Sequence, residues 1–334
     1  MIRVLICTFI LIVPAGGLVR AQKIDPLKQK DSLQALMDKA GASLNTSNYA
    51  AAIPLLRAAL QLDSTNALAL RNLGVSFAAM RDTAQARVYL TRAYRFNPKD
   101  AEVCYNLAVF TSQSGESAEA IRYFEAAYAI DTNSAMYSLG LGQELLSIGR
   151  VQKALPYLRR AHTLSPDLPI PLFQIGNCFA ADRKYDSAEV YFEQCVTAGG
   201  SAPELHYFLG VAKRHLGKMD DAEKNFKLAI GRNPRYKECL QALGLLYAQQ
   251  RKFVAAGAQF EKVIAVDSQF YAAWASLGAT CALTEQPERA DSIFQMLMKV
   301  DSSWGYQMVR LVEMEKSRQD DKQKTAPANS RPKK

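Results

Sequence analysis

Along most of this chain, apolar residues recur every three to four positions, and polar residues fill the positions between them. A helix with one buried face requires this spacing. In one well-marked stretch, the pattern predicts a helix over 100–113, a polar turn at 114–116 and a second helix over 117–130. The same arrangement recurs along the chain, so the sequence predicts paired helices that are joined by short turns.

The whole pattern repeats with a period of 34 residues, which matches one pair of helices with its turns. Small residues mark the place where paired helices approach most closely, because a larger side chain would overpack that contact. Eight alanines keep this period without slippage: Ala52, Ala86, Ala120, Ala154, Ala188, Ala222, Ala256 and Ala290. One pair cannot bury its own apolar face, so we expect the pairs to stack in a repeat array.

Several of the recurring residues resemble those of the tetratricopeptide repeat family. The match is carried in one repeat by Leu73, Gly74, Ala86, Leu90, Ala93 and Pro98, and in the last repeat by Trp274, Leu277, Gly278, Ala290 and Phe294. The resemblance covers 33–304 as eight tandem repeats and implies an all-α fold, a right-handed α-solenoid (superhelix) of helix-turn-helix units. An amphipathic stretch at 305–318 is expected to form a C-terminal capping helix, because the end of a solenoid must be covered.

The N-terminal segment has the pattern of a secretory signal peptide. Positive charge at Arg3 precedes an uncharged apolar run over 4–13, and cleavage is predicted after Ala21. An uncleaved membrane anchor is the alternative interpretation. The segment 1–21 therefore predicts an exported protein, located in the periplasm of a bacterial cell envelope, with no membrane span after cleavage.

The other terminal segments are predicted from capping residues and composition. Asp25 and Pro26 favour the start of a helix, so 22–32 is expected to be an N-terminal helix extension. The polar and basic composition of 319–334 cannot bury enough apolar area to fold, and it predicts a disordered basic tail.

The formal net charge of +9 is unevenly distributed along the chain. Two positive charges lie in the leader and a net +5 lies in 316–334, so the repeats carry a net charge of only +2. Proteins that bind nucleic acid usually present a basic patch or stripe. Since the repeats have no such stripe in sequence, we expect no nucleic-acid partner.

The chain shows no arrangement of residues that is typical of catalysis. Its three histidines have no recognisable Ser and acidic partners, and its turns are too short to carry catalytic loops. Cleavage of the leader leaves five cysteines that have no metal-ligand spacing. We therefore predict no enzyme activity, no cofactor and no metal site. The cysteines are expected to be buried thiols, with a disulfide between Cys178 and Cys195 as the alternative.

In the resembled family, the first helix of each repeat lines an inner, concave wall, and the second, fifth, sixth and ninth residues of the repeat face it. Here the fifth-position row is aromatic and apolar in its middle and has amides around it, which is typical of a groove for a peptide or protein. The predicted partner-binding groove consists of Arg71, Asn72, Tyr105, Asn106, Met136, Leu139, Gln143, Ile170, Phe173, Gln174, Asn177, Tyr207 and Arg214. The alternative is that Tyr105 and Asn106 are ordinary scaffold residues of the family.

The function predicted from these features is a non-catalytic protein-protein interaction scaffold of the bacterial cell envelope, which binds a peptide or protein segment in its concave groove. The alternative is a soluble binder of a glycan or another non-protein envelope ligand. Some chaperone-linked members bind carboxylates with Lys and Arg on consecutive first helices, but Glu102, Glu204 and Glu238 occupy those places here. A homo-oligomer through the end that carries Trp274 and Trp304 is a further expectation.

Overall fold

The structure is a computed structural model that describes residues 26–325, with side-chain environments given for 27–317. Within this range the chain forms seventeen α-helices and no strand. The helices are α1 (Pro26–Asn45), α2 (Tyr49–Leu62), α3 (Ala67–Ala79), α4 (Thr83–Phe96), α5 (Ala101–Gln113), α6 (Ser117–Ile130), α7 (Ala135–Ser147), α8 (Val151–Leu164), α9 (Pro169–Ala181), α10 (Tyr185–Thr197), α11 (Pro203–His215), α12 (Met219–Arg232), α13 (Lys237–Gln249), α14 (Phe253–Val266), α15 (Tyr271–Ala282), α16 (Pro287–Val300) and α17 (Ser302–Thr325).

The predicted fold class is confirmed as an all-α helical-repeat solenoid, because the described residues form helices without strands and helix pairs such as α1–α2, α3–α4 and α7–α8 pack together. The helices predicted at 100–113 and 117–130 are α5 and α6, which agree with the prediction to within one residue. In each pair, the odd-numbered helix is the first helix and the even-numbered helix is the second helix of a repeat. None of the helices in 26–325 is both long and apolar enough to span a membrane.

The chain divides into two compact units, at a boundary that lies within α5. The N-terminal unit ends at Leu107 and contains α1 to α4. Its core includes Leu56, Leu70 and Leu73, all of which are fully buried. Here α3 and α4 approach so closely that a methyl group at Gly74 would lie 2.6 Å from Cγ of Leu90.

The C-terminal unit begins at Ala108 and contains α6 to α17. Its helix pairs show the small-residue contact that the 34-residue period predicts. A methyl group at Gly176 on α9 would lie 2.5 Å from Cε1 of Phe192 on α10, a separation that atoms in proteins do not tolerate. Gly210 faces Phe226, and Gly244 faces Phe260, in the same way. These contacts fix the position of each first helix against its second helix.

The capping helix is longer than the sequence predicts. Helix α17 runs from Ser302 to Thr325, whereas the prediction placed the cap at 305–318 and disorder from 319 onward. It packs on α15 and α16, and Met308 is buried directly over Gly278. Composition alone suggested no folding beyond 318, but a helix that is anchored by packing can propagate through good helix formers such as Gln and Lys.

Helix α1 begins at Pro26 and runs without a break into the first repeat, so it covers the described part of the predicted extension at 22–32. The predicted signal peptide at 1–21 lies outside the described residues, as does the part of the predicted tail at 326–334.

Candidate partner-binding surface

Within the C-terminal unit, the first helices of successive repeats contact one another directly. The contacts join α7 to α9, α9 to α11, α11 to α13 and α13 to α15. Successive second helices of the same unit make no comparable contacts among the described residues. The first helices of this unit therefore lie on its inner side, where the sequence predicts the groove.

The four predicted residues of the N-terminal unit are part-buried, and the arginine among them is already paired. Nη1 of Arg71 lies 3.2 Å from Oδ2 of Asp100 and 3.2 Å from Oε2 of Glu102. Its Nε donates to Oδ1 of Asn72 at 3.4 Å. Burial raises the pKa of Tyr105, so its hydroxyl stays protonated at neutral pH. Arg71 thus links α3 to the start of α5, with its charge neutralised by two carboxylates.

On α7 and α9 of the C-terminal unit, apolar side chains of the predicted groove reach the solvent. Met136 and Ile170 expose 47% and 48% of their surface. Leu139 and Gln143 are half-buried beside them on α7. Exposed apolar groups next to half-buried ones form a surface that gains free energy when a partner covers it.

Between α9 and α11, aromatic rings form one connected group. The centroid of Phe173 lies 5.8 Å from that of Phe208, and Phe208 lies 5.1 Å from Tyr207. Tyr236, in the turn after α12, lies 5.2 Å from Tyr207. These separations are in the range that favours aromatic pairs. We call Phe173, Tyr207, Phe208 and Tyr236 the aromatic group.

The sequence prediction contained Phe173 and Tyr207 but missed Phe208 and Tyr236. Phe208 is the sixth residue of its repeat, and sixth residues are expected to face the inner wall. An aromatic residue at this position is therefore the signal in the sequence that indicates it. Tyr236 lies in a turn between repeats, and no helical pattern indicates it. Burial raises the pKa of Tyr207 and of Tyr236, so both hydroxyls remain neutral hydrogen-bonding groups.

The predicted amides on α9 bond to each other. Nδ2 of Asn177 donates to Oε1 of Gln174 at 3.2 Å. Oδ1 of Asn177 is buried and accepts no hydrogen bond from the described residues. A similar arrangement lies on α13, where Nε2 of Gln241 donates to Oγ of Ser276 at 3.1 Å and its Oε1 has no donor within 26–325. Both oxygens are enclosed by the protein, so they are unsatisfied acceptors within the scaffold.

Arg214, in the last turn of α11, differs from the neighbouring cations. Nζ of Lys213 lies 2.9 Å from Oε1 of Glu193, and Nζ of Lys218 lies 2.6 Å from Oε2 of Glu189. No carboxylate of the described chain lies within ion-pairing distance of Arg214, although this side chain is part-buried. Burial lowers the pKa of Arg214, but an arginine stays charged at neutral pH.

A cavity of about 450 Å³ opens beside Arg214, and all of its lining belongs to the C-terminal unit. Helices α13 and α15 supply one wall, and Leu311, Met314 and Glu315 of α17 supply another. The complete lining is Arg214, His215, Leu245, Ala248, Gln249, Phe253, Phe260, Ser276, Ala279, Thr280, Leu283, Leu311, Met314 and Glu315. Sequence reasoning found only the first of these residues, because the cavity depends on where α17 crosses the first helices.

The cysteines in the described chain are all buried and unpaired, so the alternative of a Cys178–Cys195 disulfide is wrong for this structure. Sγ of Cys195 instead donates to the carbonyl oxygen of Pro169 at 3.2 Å. Burial raises the pKa of Cys178 to about 11 and that of Cys239 to about 12, which keeps these thiols protonated and unreactive. Within 26–325, no cluster of His, Cys, Asp and Glu has the arrangement of a metal site.

Two family models, both described as tetratricopeptide repeat, match the sequence. One matches 77–143, and the other matches 37–101 and 173–237, so that together they span just over half of the chain. The chain belongs to the tetratricopeptide repeat family. As a tetratricopeptide repeat protein, it is a protein-interaction scaffold. The fold of this family is generally non-catalytic.

Solved structures with the same fold support this assignment. A chain of the APC/C hetero-tetramer Cut9–Hcn1 aligns with a TM-score of 0.57 and 16% identity over 77% of this tetratricopeptide repeat protein, which spans 57% of that chain. PilF of Pseudomonas aeruginosa aligns with a TM-score of 0.54 and 19% identity, covering 62% of this chain and 94% of its own.

PilW, a type IV pilus biogenesis factor, aligns with a TM-score of 0.53 and 20% identity, covering 66% of this chain and 99% of its own. At these identities, the likeness concerns the fold. No curated protein matches the sequence at a significant level.

Proposed function

We propose that this protein is a non-catalytic scaffold that binds a peptide or protein segment along the first helices of its C-terminal unit. The observation that carries the proposal is the continuity of the surface. The exposed Met136 and Ile170 lie on the helices that also hold Leu139 and Phe173, and the aromatic group extends this surface to α11.

The composition of this surface favours a polypeptide ligand. Aromatic residues and Met are enriched in the cores of protein interfaces, and charged residues are depleted there. The half-buried amides Gln174 and Asn177 lie on α9 with apolar residues of this surface and add polar groups to it. Covering an aliphatic side chain such as Ile170 contributes roughly 1–2 kcal/mol to binding.

The test is affinity capture from cell-envelope extract, followed by mass spectrometry, with a pair of matched variants. Ile170→Asp places a charge in the proposed surface, and Leu228→Asp places one on α12, where Leu228 is exposed to the same degree, 49% against 48%. We expect one dominant protein with the wild type and with Leu228→Asp, and its loss with Ile170→Asp. Equal capture by all three proteins would contradict the proposal.

The same experiment separates the polypeptide from the glycan alternative. If no protein is captured but cell-wall fragments retain the wild type, and Ile170→Asp abolishes that retention, the surface binds a glycan. Glu204 lies near the start of α11, so a carboxylate is present close to the aromatic group, as a glycan site would require.

We also propose that the protein is exported to the bacterial periplasm, on the strength of the charged start, the apolar run and the small residues in 1–21. Fractionation of producing cells tests this proposal, together with the mass of the mature chain. A periplasmic protein that begins at Gln22 is expected. Recovery of the full-length chain in the membrane fraction would favour the uncleaved anchor.

A further inference from the structure

The cavity beside Arg214 combines an apolar wall with a positive charge. Its wall is largely apolar, with Leu245 from α13, Leu283 from the end of α15 and Leu311 from α17. Its lining also includes the part-buried guanidinium of Arg214, which has no carboxylate partner among the described residues. A charge that has lost part of its hydration and gained no counterion costs free energy, which a bound anion would recover.

The other charged groups around the cavity leave this positive charge uncompensated. Glu315 is the only carboxylate in the lining that the structure describes, and its Oε1 lies 3.5 Å from Nε of Arg251. Burial lowers the pKa of His215, and Arg214 and Arg183 lower it further, so this imidazole is neutral at pH 7. Glu315 is thus engaged by Arg251, while Arg214 has no carboxylate partner among the described residues.

The dimensions of the cavity suit part of a polypeptide. A volume of about 450 Å³ lies within the range of roughly 300–1,000 Å³ that is usual for pockets that bind ligands. The polar groups of Gln249, Ser276 and Thr280 line the same space and can bond to a main chain. Phe253, Leu283 and Met314 offer contacts to an apolar side chain.

We propose that this cavity receives an apolar side chain of the partner segment, while Arg214 binds a carboxylate next to that side chain. The proposal rests on the proposed function and names the chemistry of the partner, a segment with an aliphatic or aromatic residue close to an acidic group. That group is an acidic side chain or the chain-terminal carboxylate. The site is separate from the places on consecutive first helices that hold Glu102, Glu204 and Glu238.

The test uses the full chain and an array of random pentapeptides prepared in three forms. The first form carries one Asp or Glu and an amidated C-terminus, the second carries Asn or Gln instead with the same amide, and the third carries Asn or Gln with a free C-terminal carboxylate. We expect the wild type to enrich peptides that have an apolar residue within two positions of the carboxylate, in the first or the third form. The second form is expected to bind at least ten-fold more weakly, and preference for the first or third form identifies the source of the carboxylate.

Three variants assign the binding to the cavity. Arg214→Gln is expected to reduce the affinity for the selected peptides at least ten-fold, and Met314→Ala about three-fold. Because Met314 is 47% exposed, we expect Met314→Ala to keep the fold. Arg232→Gln, which removes the same charge from the exposed end of α12 in the same repeat, is expected to change the affinity less than two-fold. Thermal unfolding of each variant shows that it is folded.

The outcomes distinguish the carboxylate site at Arg214 from the proposed peptide-binding surface on α7 and α9. The carboxylate site is overturned if the neutral and acidic peptides bind equally, or if Arg214→Gln binds the selected peptides as tightly as the wild type. Either result would stand even if Ile170→Asp no longer captured the partner protein from the extract. Recovery of a fatty acid from the purified protein, with no peptide selected, also overturns it. Loss of peptide binding in Arg214→Gln, with capture unaffected by Ile170→Asp, supports the cavity and contradicts the surface on α7 and α9.

Discussion

At the scale of single residues, several close helix contacts of the C-terminal unit occur where a glycine faces an aromatic ring. Gly210 on α11 has no room for a side chain, because a methyl group there would lie 2.7 Å from Cε1 of Phe226. Gly231 on α12 has open space instead, because a methyl group there would have no neighbouring atom within 4 Å. The two residues belong to one repeat, so their substitution separates packing from helix propensity.

We expect Gly210→Ala to destabilise the protein by about 1–3 kcal/mol, because the ring of Phe226 must move out of a fully packed core. Gly231→Ala is expected to be neutral or to stabilise by up to about 1 kcal/mol, since alanine favours a helix more than glycine does. Thermal unfolding followed by circular dichroism measures both. A larger loss in Gly231→Ala than in Gly210→Ala would contradict the packing argument.

A buried histidine makes the stability depend on pH. His206 exposes 5% of its surface, its Nδ1 lies 3.4 Å from Oδ1 of Asn225, and its Nε2 is buried with no partner within the described chain. Burial lowers the pKa of His206 in the folded state, so the unfolded chain binds a proton more readily. The stability contributed by the neutral ring is therefore present above the unfolded pKa, about 6.5, and is lost as the pH falls below it.

We expect the melting temperature of the wild type to fall between pH 7.5 and pH 5.5, and His206→Phe to remove part of that fall. Phenylalanine fills the same core position without a group that titrates. His215→Phe is the control for the second histidine whose pKa is lowered, since His215 is exposed and stacks on Tyr185 with centroids 4.0 Å apart. Identical pH profiles for the wild type and His206→Phe would show that His206 does not carry this dependence.

At the scale of helices, α17 stabilises the end of the C-terminal unit through its first half. Met308 is buried against α15, and Trp304 lies 6.4 Å from Tyr271 between ring centroids. The second half, from 316 to 325, is polar. The apolar contacts that a solenoid end requires are thus concentrated before Ser317.

Truncation after Asp301 is expected to lower the melting temperature by several degrees and to cause aggregation, because it exposes Ile293 and Leu297 on α16. Truncation after Ser317 keeps Met308 and Glu315 and is expected to change the melting temperature very little. Light scattering and circular dichroism follow both truncations. If truncation after Ser317 also destabilised the unit, residues beyond 317 would contribute to its stability, and the argument that the contacts before Ser317 suffice would be wrong.

Helix patterns predicted the elements well and the site only in part, for physical reasons. The ends of α5 and α6 follow from the alternation of apolar faces and polar turns, which is a local property of the sequence. The counterions of Arg71 lie 29 and 31 residues further along the chain, at the end of the same repeat and the start of the next, where no local pattern reveals them. The cavity beside Arg214 depends on the path of α17, which is set by tertiary packing.

At the scale of the whole molecule, two arginines on first helices have opposite environments, one in each unit. Arg71 of the N-terminal unit is held between Asp100 and Glu102, and its side chain is 24% exposed while that of Asp100 is 13% exposed. Arg214 of the C-terminal unit has no such carboxylates among the described residues. The sequence prediction assigned both arginines to one binding groove. The ion pairs of Arg71 favour a structural role for it, and we propose a binding role for Arg214.

The same substitution at the two positions is therefore expected to have opposite effects. Arg71→Gln leaves the part-buried carboxylate of Asp100 without its partner, which costs about 1–3 kcal/mol, and it should lower the melting temperature while leaving peptide affinity unchanged. Arg214→Gln removes a charge that no side chain of the described chain neutralises, so it should leave the melting temperature unchanged or raise it, and should weaken binding of the selected peptides. Calorimetric unfolding and peptide binding, measured on the same preparations, test both halves. Loss of peptide affinity in Arg71→Gln without loss of stability would place Arg71 back in the binding surface, since a paired arginine in a purely structural role cannot produce that result.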